Sequence, residues 1–115
     1  MRRARGDESR HVHFGLAHVR HALACDSTLY GRLEAAVRRR AATLGGVGGI
    51  PAPLQDSLVI LAAGGTEPHA LLRGEAALRE LLEVMHASRV RRLCSAGFSA
   101  DQAERLSDLH TPNFM

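Results

Sequence analysis

A chain of 115 residues bounds the fold to one domain with a modest core. Hydrophobic residues at 45% and charged residues at 23% exclude both a disordered polymer and a membrane protein. With aromatics at only 3%, the core must be built from Leu, Ala and Val, which suits close helix packing better than a β-sandwich.

The net charge of +3 rests on fifteen basic residues, all of them Arg. Without interleaved aromatics on which bases could stack, this pattern points to compositional bias rather than to a nucleic-acid partner. Cys25 and Cys94 stand far apart and support neither a zinc ribbon nor a disulfide framework. The longest apolar run, "LVILAA" at 58–63, is too short to span a bilayer. The basic start "MRRAR" leads into "GDESRH" instead of the apolar stretch of a signal peptide. The expectation is a cytoplasmic protein with reduced thiols and no membrane association.

In chain order, a first helix is expected over 7–24, with Glu8, His11, Val12, Gly15, Leu16, Val19 and Leu23 on one face. Asp26, Ser27 or Thr28 can cap a second helix over about 28–44, whose stripe is Leu29, Leu33, Ala36, Val37 and Leu44. Glu34 and Arg38 are spaced for an ion pair within it, and Gly45 with Gly46 ends it. "GGVGGIPAP" at 45–53, with four glycines and two prolines, reads as a hinge loop.

A short helix over about 54–63 aligns Leu54, Leu58 and Leu61 and stops at Gly64 and Gly65. Thr66 can cap a long helix over about 67–95, with Pro68 in its first turn and a possible kink at Gly74. Its stripe is Leu78, Leu81, Leu82, Met85 and Leu93. "FSADQAERLSDLH" opens with a capping box, Ser99 and Gln102, and places Phe98 to staple onto Ala103. Phe114 and Met115 in the tail are apolar enough to dock. No segment alternates with period two for long, so the fold class is all-α: one domain, a bundle of about five helices.

Glu8 and His11 lie three apart, so a helix puts them on one face, together with Val12, Val19 and Leu23. Burying that stripe carries both polar groups inward, at a cost of about 2–7 kcal/mol even for a neutral polar group. A metal ion removes the cost by taking the carboxylate oxygen and the imidazole nitrogen as ligands. The string "DESRHVHFGLAHVRHAL" at 7–23 resembles, over about a dozen residues, the metal-binding helix of the ferritin-like di-iron carboxylate superfamily, whose members carry DE-x-RH-x-x-FG strings. The resemblance implies that Glu8 and His11 are ligands to iron or manganese, in a centre that acts on dioxygen and a small organic substrate.

It also implies further ligands, since such a centre takes four carboxylates and two histidines from four helices. "EVMH" supplies a second nominal pair, Glu83 and His86, but Glu83 falls about 140° from Leu78 round the helix. Glu83 therefore reads as solvated and His86 as a boundary residue, with Glu34 and Glu75 as surface charges. Arg2, Arg3 and Arg5 precede the motif at the positive end of the helix dipole, where they are unfavourable. The expectation is the C-terminal part of a ferritin-like protein, completed by missing N-terminal helices or by a homo-oligomer, and not catalytic alone.

The alternative is a non-catalytic helical module that associates with itself through the Glu8 face. A third reading, an Arg-rich nucleic-acid binder, would use "RRR" at 38–40 and "RVRR" at 89–92, which otherwise form a solvated helix face. "GGVGG" lacks the spacing of a phosphate loop, and Ser9, Ser57 and Ser95 lack the setting of a hydrolase nucleophile.

Overall fold

Helical periodicity and its punctuation shape the whole chain. The computed structural model describes residues 2–45 and 51–109, with side chains described over 6–43 and 51–109, so the expected docking of Phe114 and Met115 and residues 46–50 of the expected hinge lie outside the described residues. Five helices follow in order: α1 (Arg2–Cys25), α2 (Leu29–Gly45), α3 (Ala52–Ala63), α4 (Pro68–Ser95) and α5 (Ala100–Asp108). No strand occurs among the described residues.

Local chemistry sets most of the boundaries. Between α1 and α2, the Asp26 carboxylate accepts from the Thr28 backbone N–H at 2.9 Å and from the Thr28 hydroxyl at 2.7 Å. These bonds hold the Asp26 carboxyl below the usual carboxylate range. Helix α3 starts at Ala52, inside the expected hinge loop, because Pro51 and Pro53 suit a helical first turn that lacks N–H partners. It ends at Gly64, whose φ of 68° is the left-handed cap open to glycine. Glu67 stands at the N-cap of α4 without a side-chain bond, displacing the expected Thr66, and Pro68 fills the first turn. The capping box of α5 forms as expected: Gln102 N–H donates to Ser99 Oγ at 3.2 Å, and Ser99 N–H to Gln102 Oε1 at 2.9 Å.

Gly74 does not kink α4. It lets α3 approach: a Cβ there would stand 2.3 Å from the Val59 carbonyl oxygen and 2.9 Å from Ala63 Cβ. α3 thus packs along the first half of α4 through Val59 and Ala63. The second half of α4 packs on α5 and α1. There Ala96, Phe98, Ala103 and Leu106 are buried, with Leu16, Val19, Leu23, Leu33, Val37, Val90 and Leu93 around them. Tyr30, which lies off the expected α2 stripe, joins this core edge-on to Phe98 at 5.8 Å, while Ala36 of that stripe is exposed.

The molecule is extended. Its radius of gyration is 17.2 Å, against about 13 Å for a compact chain of this length. No large side chain is fully buried among the described residues. The α3–α4 hairpin forms an arm, and α1, α2, α5 and the end of α4 form a body.

Candidate functional site

The first half of α1 stands clear of the other helices. Every residue from Gly6 to Gly15 is exposed, Glu8 and His11 among them, and Phe14 is 76% exposed. The expected inward turn of Glu8 and His11 is therefore corrected: the α1 stripe meets the body only from Leu16 onward, and no described helix covers the turns above it. Among the described residues no third metal-ligating side chain is clustered with this pair. Two ligands on one open helix do not by themselves fit a dinuclear centre. Two of the other α1 imidazoles bond locally, His13 Nδ1 lying 2.7 Å from the Ser9 carbonyl oxygen and His21 Nε2 3.6 Å from Cys25 Sγ, while His18 stacks on Phe14.

Below Glu8, the same helix face opens onto a groove of about 610 Å³ between α1, α2, α4 and α5. Val12, Gly15, Leu16 and Val19 form its α1 wall, Leu33 and Val37 its α2 wall, and Leu93, Phe98 and Leu106 its floor. Arg40, Arg89 and Arg92 stand among them. One arginine of the 38–40 run and two of the 89–92 run, read from the sequence as solvated faces, thus border one apolar trough. Its volume lies within the range of about 300–1,000 Å³ over which proteins take up ligands or partner side chains.

At the edge of the groove, where Arg89 and Ser107 line it, a polar cluster joins α4 to α5. His86 Nε2 lies 2.7 Å from Glu104 Oε2, and His86 Nδ1 lies 2.9 Å from Ser107 Oγ and 4.0 Å from Asp108 Oδ1. Arg89 Nε donates to the same Ser107 hydroxyl at 3.1 Å. One ligand atom from each of His86, Glu104 and Asp108 falls within 4.8 Å of the others, a donor set that a divalent first-row metal could take. Glu104 holds one ring nitrogen and Asp108 leans toward the other, however, so the carboxylates flank opposite edges of the imidazole. Ser107, 2% exposed, finds both its partners within the chain. This arrangement is a clasp between helices. The sequence reading of His86 as a boundary residue and Glu83 as solvated agrees with it. The partners were hidden because they lie eighteen to twenty-two residues later, although the spacing of Glu104, Ser107 and Asp108 already puts them on one face of α5.

A third polar group ties α2 to α5. The Tyr30 hydroxyl and the Arg38 guanidinium beside Glu34 hold its carboxyl below the usual range, with Arg38 Nη2 at 2.6 Å. Arg105 reaches the Tyr30 hydroxyl from α5 at 3.4 Å. Glu34, expected as a surface charge, is thus a half-buried structural group.

No protein-family model, no curated protein and no solved structure matches this chain. No helix among the described residues is long and apolar enough to cross a membrane.

Proposed function

We propose that this chain is a non-catalytic helical assembly module that completes its core with a second copy of itself. The observation that carries the reading is the groove: an apolar trough of about 610 Å³ left open by helices whose largest described side chains all keep some exposure. Contiguous apolar surface of this kind usually has a partner. Gly15, on the α1 wall, has open space where a Cβ would stand, so it leaves room for an approaching helix that the described residues do not supply. Light scattering over a dilution series tests the reading. A mass that rises with concentration toward twice the 12.4 kDa of one chain supports it, and a single-chain mass at every concentration refutes it.

The ferritin-like reading stays attached to the same assembly. Glu8 lies on the face of α1 that lines the groove one turn below, at Val12 and Gly15. A neighbouring copy over that face would cover Glu8 and His11 and bring further carboxylates near them. Iron and manganese content per chain, measured in the associated fraction before and after Glu8→Ala, tests this part. Metal that disappears with Glu8→Ala makes Glu8 a ligand; a metal-free associated fraction leaves an assembly module without di-iron chemistry.

A further inference from the structure

The apolar stripe that the sequence aligns on α3 does not face α4. Val59 and Ala63 make the contact with Gly74, which turns Leu54 and Leu61 toward the opposite side of the helix and leaves Leu58 half-buried at its edge. Leu61 is 78% exposed and Leu54 46% exposed. Among the described residues no helix covers Leu54 and Leu61, and none fills the body's groove.

Length and charge both match. Leu54 to Leu61 spans about 10 Å along a helix, and the α1 wall from Val12 to Val19 spans the same seven residues. Over 51–83, the arm carries five acidic residues against two arginines, a net charge of −3. The rest of the chain carries thirteen arginines against seven acidic residues, and three of those arginines stand at the groove. The arm as a whole is net negative and the groove is bordered by three arginines, so the two are complementary in net charge.

From this we infer that the arm of one copy docks in the groove of another, with Leu54, Leu58 and Leu61 over Leu33, Val37 and Leu93. The inference rests on the assembly reading and names its contact surfaces. Two copies can exchange arms about a two-fold axis, each giving one arm and receiving one, which closes the assembly as a dimer.

Leu61→Arg and the double variant Arg40→Glu/Arg92→Glu test it in the full chain. Both change exposed positions, so each should fold as the parent does, with circular dichroism as the check. Sedimentation equilibrium should show Leu61→Arg weakening association at least about 30-fold, the equivalent of losing a contact of about 2 kcal/mol. The double variant should weaken it too, and the parent's association should fall as salt rises. Mixing the two variants should restore some dimer, because the groove of the Leu61→Arg copy and the arm of the other remain intact. A parent dimer that Leu61→Arg leaves as tight as before, or variants that fail to complement, would overturn the arm-in-groove contact while leaving self-association standing. A monomeric parent would remove both.

Discussion

Single side chains hold the body together at points where a polar group has been drawn partly out of water. Ser107 is the clearest case. Its hydroxyl accepts from Arg89 and meets His86, which in turn meets Glu104, so one small residue links three others across α4 and α5. Ser107→Ala removes the partner of Arg89 Nε and of His86 Nδ1 and leaves a buried methyl there, and should destabilise the fold by about 1–3 kcal/mol in urea unfolding. An unchanged midpoint would mean that the cluster is an incidental surface contact. Glu34 and Asp26 add a dependence on acid. Both carboxyls titrate lower in the folded chain than in the unfolded one. Their contribution is therefore full above the unfolded value, near pH 4, and fades as the pH falls through the lower folded value. Tyr30→Phe, which removes a hydroxyl beside Glu34, should flatten the loss of thermal stability on going from pH 5 to pH 3 relative to the parent. A melting profile as steep as the parent's would count against the Tyr30 contact.

At the scale of elements, glycine identity separates packing from propensity. Gly31 lies within α2 with nothing within 4 Å of a Cβ built there, so Gly31→Ala should gain up to about 1 kcal/mol of helix stability. Gly74 lies within α4 against the Val59 carbonyl, and Gly74→Ala should cost about 1–3 kcal/mol through overpacking, outweighing the same helical gain. Opposite signs in thermal melts of the two variants are the expected result, and two stabilising substitutions would deny the close α3–α4 crossing. Ser99→Ala should cost about 1 kcal/mol by opening the capping box of α5.

These elements also mark what was legible in the residues. Helix starts and stops announced themselves in Ser99, Gln102, Gly64 and Pro68, because capping is chemistry between near neighbours. Which face of a helix is covered was not legible in the same way. The aligned leucines of α3 and the upper stripe of α1 both read as core, yet Leu61 and Val12 meet solvent because no other described helix lies over them. Periodicity states which residues want burial and is silent on whether the chain supplies the partner. The His86 clasp was missed for a related reason: its pairing depends on how α5 folds back on α4.

For the whole molecule, the extended outline and the two apolar surfaces left uncovered by the described helices are what supports the proposed assembly. A chain with a radius of gyration of 17.2 Å and six buried hydrophobics among its described residues buries little for its length, and a small core of that kind gains stability from association. The thermal midpoint should accordingly rise with protein concentration. The most direct measurement is the mass of the full chain in solution by sedimentation equilibrium. A reversible monomer–dimer equilibrium, weakened by Leu61→Arg, is the predicted result. A chain that sediments as a monomer at every concentration, with the groove and the α3 stripe both open to water, would contradict the account.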